Sequence, residues 1–206
     1  MDRRAVSGQQ TVPFRQKPRG NIAVRDRQRV RYGLFGFLCC YLTACTGVPD
    51  GIEPVTGFDQ SRYLGTWYEI ARLDHSFEHG LSKVSATYGV NPDGTISVLN
   101  RGFDSEAGEW REAEGIARFV QSADVAHLKV SFFGPFYGSY VVFELGENYD
   151  YAFVSGFNRN YLWFLARTPQ VSESLREQFL ETITDLGFES EDLIWLDEPE
   201  MRSAQR

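Results

Sequence analysis

The chain has 206 residues, enough for one domain or at most two small ones, and its 42% hydrophobic content predicts that most of it folds around a core. No apolar run approaches the roughly 20 residues of a membrane-spanning helix, which excludes a protein with several such helices. Residues 1–31 carry nine Lys/Arg against two Asp, whereas residues 32–206 carry 12 Lys/Arg against 26 Asp/Glu. The strongly acidic body argues against nucleic acid as a partner.

The N-terminal region is typical of bacterial secretion. Its basic residues are followed by 13 uncharged, mostly apolar residues, 32–44, a length that suits the core of a signal peptide and is too short for a stop-transfer helix. The LTAC sequence at residues 42–45 resembles a bacterial lipobox, so Cys45 is predicted to be lipidated and to become the mature N-terminus. Thr46, in place of Asp, favours the outer membrane as the destination. The alternative is an incidental cysteine behind an ordinary secretory signal.

The basic region is long for a signal peptide, so translation from Val24 or Val30 instead of Met1 is an alternative. Cys39 and Cys40 lie inside the apolar segment and are expected to leave with it. No cysteine follows Cys45, which excludes intradomain disulfides and Cys-based zinc sites. The predicted parts are a leader over 1–44, the lipidated cysteine and a Gly/Pro-rich tether over 45–58, a folded domain over 59–198 and a flexible tail over 199–206.

The folded domain is predicted to be all-β. It breaks into eight short runs of aromatic and β-branched residues separated by turn residues, of which NPDG at 91–94 is the strongest hairpin signal. Several connections are hairpin-short, so neighbouring strands should pair antiparallel. The predicted strands are Tyr63–Ala71, Lys83–Val90, Thr95–Arg101, Glu109–Val120, His127–Phe132, Ser139–Leu145, Tyr151–Val154 and Tyr161–Ala166.

Alternation of polar and apolar residues along the strands indicates one solvent-exposed face and one interior face. In the fourth strand Glu112 and Glu114 alternate with the small residues Ala113, Gly115 and Ala117. Small inward side chains leave space, which favours a barrel that encloses a cavity over a filled sandwich core.

One helix is predicted after the eighth strand. Pro169 precedes it, Ser172 can cap its N-terminus and Gly187 can end it. An apolar stripe should pack against the outside of the barrel. Residues 193–195 (LIW) are predicted to form a short ninth strand. The residues of the apolar stripe are Leu175, Phe179, Leu180, Ile183 and Leu186.

Three motifs along the domain resemble those of the lipocalin family. Gly65 and Trp67 form the Gly-x-Trp signature at the first strand, Asp150-Tyr151 followed by Gly156 is similar to the middle motif, and Arg167 closes the eighth strand. The resemblance runs from about residue 58 to 195. The KVSFFGPFYG sequence at 129–138 and the lipobox resemble the bacterial outer-membrane lipoprotein lipocalins, the branch close to apolipoprotein D. This implies an eight-stranded antiparallel up-and-down barrel with one C-terminal helix.

In such a barrel the first strand starts at the end where the eighth finishes. We therefore expect the Arg167 guanidinium to lie over the Trp67 indole and to close that end, a structural role for both residues. The loops after strands one, three, five and seven should surround the opposite, open end; they include residues 75–80 and 134–138. The aromatic side chains of the second of these loops are expected either to contact a membrane or protein or to fold over the mouth.

The resulting prediction is a lipid-anchored, non-enzymatic carrier of amphipathic lipids in the bacterial cell envelope, with the barrel in the periplasm. The family resemblance implies fatty acids or lysophospholipids as ligands and no cofactor. Apolar walls would bury an acyl chain, and polar groups such as those of Tyr88 and Asn100 would orient the rest. The residues predicted to face the cavity are Tyr88, Asn100, Ala113, Gly115, Val130, Phe132, Val141 and Phe143.

Two other classes of function stay open. A lipocalin-fold enzyme acting on a lipid or isoprenoid is one, because a fold does not fix a function; the other is a structural envelope lipoprotein with a filled barrel. The sequence from His75 to His79 fits an inverted zinc-protease motif, H-x-x-E-H, but it lies in a short loop and lacks a third ligand nearby, so no metal site is predicted. The sequence leaves open whether the protein forms a homodimer.

Overall fold

The structure, a computed structural model, describes residues 46–196; the predicted leader, Cys45 and the C-terminal tail lie outside the described residues. This part of the chain contains nine strands, a one-turn helix α1 (Gln60–Tyr63), a longer helix α2 (Glu173–Asp185) and a 3-10 turn at Ser190–Asp192. The strands are β1 (Gly65–Leu73), β2 (Leu81–Val90), β3 (Ile96–Asp104), β4 (Glu109–Phe119), β5 (His127–Phe133), β6 (Phe136–Leu145), β7 (Tyr151–Ser155), β8 (Leu162–Ala166) and β9 (Leu193–Trp195).

Strands β1 to β8 form a closed antiparallel barrel. Each strand pairs with the next in sequence, and β8 returns to pair with β1, with Tyr68 opposite Ala166. The short β9 pairs with the second half of β1, where Ala71 lies opposite Trp195. The predicted eight-stranded up-and-down barrel and the ninth strand are both confirmed.

Helix α2 lies on the outside of the barrel, as predicted. The Ser172 hydroxyl accepts from the backbone N–H of Leu175 and caps its N-terminus, and Gly187 follows its end with a φ of 75°, which glycine adopts without strain. Phe179 and Ile183 are fully buried and pack on the outward face of β7 and β8. The Phe179 ring centroid lies 4.8 Å from those of Phe153 and Phe164. Among the described residues no helix is long and apolar enough to cross a bilayer.

The start of the domain differs from the prediction. Tyr63 ends α1 and does not begin β1, because the Asp59 carboxylate accepts from the Ser61 backbone N–H and starts a helical turn there. Sequence periodicity gave no signal for so short a helix.

Residues 46–58, predicted as a tether, largely pack against the barrel. The Val55 backbone N–H donates to the Val142 carbonyl, and the Val55 carbonyl accepts from Ala126, both at or below 2.9 Å. Ile52 and Phe58 are buried. The Gly/Pro-rich composition predicted a loose segment, but these two apolar side chains fix it to the body.

Candidate functional site

One end of the barrel is closed by the motif residues. The Arg167 guanidinium carbon lies 3.9 Å from the centroid of the Trp67 ring, and the fully buried indole donates from Nε1 to the Tyr63 carbonyl at 2.8 Å. Arg167 also donates to the carbonyls of Arg62, Thr66 and Tyr149 at 2.8–3.2 Å. Gly65 has a φ of 91°, and an added Cβ would lie 3.5 Å from Arg167 Nη1. The structure therefore places all three motif residues at one sealed end.

A cavity of about 340 Å³ opens at the other end, among the loops that follow β1, β5 and β7. That volume lies in the range of small-molecule sites, about 300–1,000 Å³. Its walls are mostly aliphatic and aromatic, with Val84, Val98, Val130 and Leu165 among the lining residues. Such walls can bury an acyl chain, and each buried methylene stabilises the bound state by about 0.8 kcal/mol.

Three tyrosine hydroxyls are linked at the inner end of this cavity. The Tyr88 hydroxyl donates to that of Tyr140 at 2.9 Å, and the hydroxyls of Tyr140 and Tyr63 are hydrogen-bonded at 2.6 Å. Tyr88 and Tyr140 line the cavity, whereas the Tyr63 ring packs on Trp67 with centroids 4.6 Å apart. Burial raises the pKa of all three phenols above the ordinary value, so they are neutral hydrogen-bonding groups at physiological pH.

A buried charged cluster lies against the open half of the cavity. Arg72, fully buried, donates from Nη1 to Glu69 Oε1 at 2.8 Å and from Nη2 to the Glu78 carbonyl at 2.8 Å. Trp163 Nε1 donates to Glu78 Oε2 at 3.1 Å, and His75 Nε2 lies 3.2 Å from the same oxygen. Glu69, His75, Glu78 and Trp163 line the cavity. The cluster ties the loop after β1 to the inner face of β8.

The two carboxyl groups of this cluster have opposite pKa shifts. Burial, with the nearby charge of Glu78, raises the pKa of Glu69 well above the ordinary value despite its contact with Arg72. Burial also opposes ionisation of Glu78, but the contacts with His75 and Trp163 and the charge of Arg72 outweigh it and lower its pKa. Glu78 is therefore the ionised carboxylate that faces the cavity at neutral pH.

Four of the eight side chains predicted for the cavity lie on its wall: Tyr88, Asn100, Val130 and Phe132. Ala113 and Gly115 are opposite Asn100 and Val98 in the β3–β4 ladder, which places them on the same sheet face. Neither lies on the cavity wall: the Phe132 ring lies over Gly115, only 2.9 Å from where a Cβ would be, and Ala113 is exposed to solvent.

The inward assignment of Val141 and Phe143 was wrong. Both pack in the cluster beneath helix α2, where the Phe143 ring centroid lies 6.1 Å from that of Phe188. Their neighbours Tyr140 and Val142 point to the interior instead. Strand β6 is covered on both faces, so residues 140–143 (YVVF) are all apolar or aromatic and alternation could not set the register.

The charged cluster was not predicted. The signal that could have revealed it is Glu69 and Arg72 within an otherwise apolar β1, since charged side chains flanked by buried residues are paired when they are buried. The H-x-x-E-H residues do not form a zinc site: His75 is buried towards Glu78, whereas His79 is exposed and pairs with Asp74 at 3.1 Å. Among residues 46–196 no group of three or more His, Cys, Asp or Glu side chains is placed to hold a metal ion.

Three phenylalanines stand out at the mouth of the cavity. Phe77, Phe133 and Phe136 are 67%, 73% and 68% exposed, although each also contributes to the cavity wall. Phe77 belongs to the loop after β1, and the other two flank the turn between β5 and β6. The rim of the mouth therefore carries exposed aromatic side chains.

A barrel closed at one end by Arg167 on Trp67, open at the other and carrying one external helix defines a ligand-binding class of small barrels. The family model described as a lipocalin-like domain matches residues 58–198, so the chain belongs to the lipocalin family. The solved structure of insecticyanin from the tobacco hornworm Manduca sexta superposes with a TM-score of 0.60 at 21% identity, covering 75% of this chain and 88% of that chain, which supports the fold.

Relatives with curated names narrow the family further. The outer membrane lipoprotein Blc of Vibrio cholerae serotype O1 is 56% identical over 165 residues, which cover 79% of this chain and 96% of that protein. Mouse apolipoprotein D is 29% identical over 149 residues, covering 68% of this chain and 77% of that protein. The predicted resemblance to bacterial lipoprotein lipocalins and the predicted location, a lipid-anchored protein of the outer membrane, are confirmed.

Proposed function

We propose that this protein binds amphipathic lipids in the barrel cavity and stores or transports them in the cell envelope. The observation that carries the proposal is the cavity itself: about 340 Å³, lined mainly by apolar side chains and open at one end only. The hydroxyls of Tyr88 and Tyr140 lie at its inner end, and the charged cluster that includes Glu78 lies nearer the mouth. An acyl chain inside and a polar head at the mouth match this distribution.

Single-chain lipids fit this site best. Fatty acids and lysophospholipids have one chain, which a narrow cavity can bury while the head group stays hydrated. Each methylene that enters contributes about 0.8 kcal/mol, so a long chain offsets the entropy lost on binding.

The lipid anchor would keep the cavity beside its source of ligand. In this proposal Cys45 carries the lipid, the barrel lies in the periplasm, and the chain packs on the barrel from a few residues after the anchor. Val48 already contacts the outer apolar cluster. Mass spectrometry of the mature protein should find the diacylglyceryl and acyl groups on Cys45, and an unmodified thiol would reject this part.

The proposed role is binding without chemical change of the lipid. Protein purified from cells without added lipid would be extracted with solvent and the extract identified by mass spectrometry. Recovery of about one unaltered lipid per protein would support the carrier function. A chemically altered lipid would indicate an enzyme, and an empty protein that also fails to bind added lipid would indicate a structural envelope protein.

A further inference from the structure

We propose that the wall formed by Glu78 and the aromatic rings around it is a subsite for an ammonium head group. The preferred ligands would then be single-chain amphiphiles whose head carries an ethanolamine or choline group. Anionic heads without an ammonium would bind less well. This inference rests on the proposed lipid-binding function and specifies its head-group chemistry.

The charges on the cavity wall favour a cation. The wall includes the carboxyl groups of Glu69 and Glu78, and no Lys or Arg is among the described residues that line it. Arg72 lies behind the wall, with 1% of its surface exposed, and is engaged with Glu69. A ligand carboxylate would therefore meet negative charge without a free cation to pair with, whereas an ammonium would meet a carboxylate in a low-dielectric site.

Four aromatic rings pack on one another beside Glu78, and two of them, His75 and Trp163, contact its carboxylate. The His75 ring centroid lies 5.0 Å from that of Trp163 and 5.8 Å from that of Phe77. The Tyr161 centroid lies 6.2 Å from that of Trp163 and 6.4 Å from that of Phe77. All four rings line the cavity. Clustered ring faces beside a carboxylate bind quaternary and primary ammonium groups through cation–π attraction.

Two buried polar atoms on the wall have no hydrogen-bond partner within the described part of the protein. His75 has 9% of its surface exposed, and its Nδ1 has no hydrogen-bond partner. Asn100 Oδ1 is also buried without a partner, and Asn100 lines the same cavity. Buried polar atoms are normally satisfied, so these two are suited to groups that enter with a ligand. Asn100 Oδ1 can accept from an ammonium, and so can His75 Nδ1 when Nε2 carries the ring proton towards Glu78.

The test compares lysophospholipids that share one acyl chain and differ only in the head group. The delipidated full-length protein would be titrated with lysophosphatidylethanolamine, lysophosphatidylcholine and lysophosphatidylglycerol below their micelle concentrations. We expect the two ammonium-bearing lipids to bind about tenfold more tightly than the glycerol lipid, within the span of cation–π and carboxylate contacts. Equal affinities, or tighter binding of lysophosphatidylglycerol, would overturn the subsite.

The variant Glu78→Gln tests whether the preference for ammonium head groups comes from this wall. The amide oxygen can still accept from Trp163, so the variant removes charge with little change in shape. We expect it to reduce the tenfold ratio to less than about threefold by weakening only the ammonium lipids. Glu114→Gln, on the exposed outer surface of β4, is the matched control and should keep the ratio. An equal loss for all three lipids in Glu78→Gln would instead show a purely structural carboxylate.

The comparison of the three lysophospholipids on the wild-type protein needs no variant. It therefore still tests the subsite if Glu78→Gln fails to fold. Failure of the head-group proposal also differs from failure of the lipid-binding function. If only the subsite is wrong, all three lipids still bind and their ratio is near one. If the function is wrong, none of them binds.

Discussion

The Arg167 guanidinium lies 3.9 Å above the Trp67 ring and joins the last strand of the barrel to the first. Its N–H groups also donate to three backbone carbonyls near the closed end, on Arg62, Thr66 and Tyr149. One side chain thus closes the sheet, shields the indole and fixes the chain that enters β1. The cavity opens at the opposite end, so this contact stabilises the fold and takes no direct part in binding.

Replacing Arg167 by Ala should therefore destabilise the protein with little effect on ligand affinity. Loss of the cation–π contact and of the bonds to three carbonyls is expected to lower the free energy of unfolding by about 2–4 kcal/mol. Denaturant unfolding measures this change. Arg101→Ala is the control, since its guanidinium lies 4.2 Å from the Trp110 ring on the outer surface, where water weakens the contact. A similar loss in both variants would contradict a special role for Arg167.

Tyr140→Phe tests the tyrosine network at the inner end of the cavity. It removes the hydroxyl that joins Tyr88 to Tyr63 and leaves two buried hydroxyls without that partner, which should cost about 1–3 kcal/mol of unfolding free energy. Tyr68→Phe, at a partly exposed position on β1, should change stability very little. Thermal unfolding of the two variants measures the difference. Equal melting temperatures would mean that the hydroxyl network does not stabilise the folded state.

The same network predicts loss of stability in alkali. The pKa values of Tyr63, Tyr88 and Tyr140 are raised in the folded state by burial, so the folded protein holds protons that the unfolded chain releases above about pH 10. Their contribution is complete below the unfolded pKa and is lost as pH rises through the folded values. The mature protein keeps eight tyrosines once Tyr32 and Tyr41 leave with the predicted leader, and in an ultraviolet titration three of the eight should ionise only on unfolding. Smooth titration of all eight in the folded state would contradict this.

Phe136→Ser should slow lipid transfer from membranes. Phe136 is 68% exposed at the rim, and an apolar side chain there can enter the bilayer surface during exchange. We expect slower uptake of a fluorescent fatty acid from vesicles, with affinity in solution and oligomeric state unchanged. Ile116→Ser removes an exposed apolar side chain from the wall of the barrel and should transfer lipid at the normal rate. Normal uptake by Phe136→Ser would exclude the membrane contact.

The barrel was predictable because each of its signals is local. Turn residues such as those at 91–94 separate the strands, and Ser172 and Gly187 mark the ends of α2. Inner positions were predictable only where one strand face meets water. On β6 both faces are buried, one by the interior and one by the external helix, so Val141 and Phe143 were assigned to the wrong side.

The polar half of the site depends on contacts between residues distant in sequence. Glu78 reaches Trp163, 85 residues away, and no spacing rule links a loop carboxylate to a later strand. The space over Gly115 is a second example: the small residue predicted open space inside the barrel, but the Phe132 ring from β5 fills it. Sequence alternation describes one strand at a time, whereas the shape of the cavity depends on all of them.

Lipid binding inside the barrel is tested most directly by filling the cavity. Ala86 lines it, opposite Trp67 in one ladder and Asn100 in the next, and Ala86→Trp would place an indole in the space where the acyl chain should lie. Delipidated wild-type protein should bind one lysophospholipid saturably, and Ile116→Trp, on the outer face, should bind it equally well. Ala86→Trp should remain folded and lose this binding. Undiminished binding by the folded Ala86→Trp protein would contradict a ligand site inside the barrel.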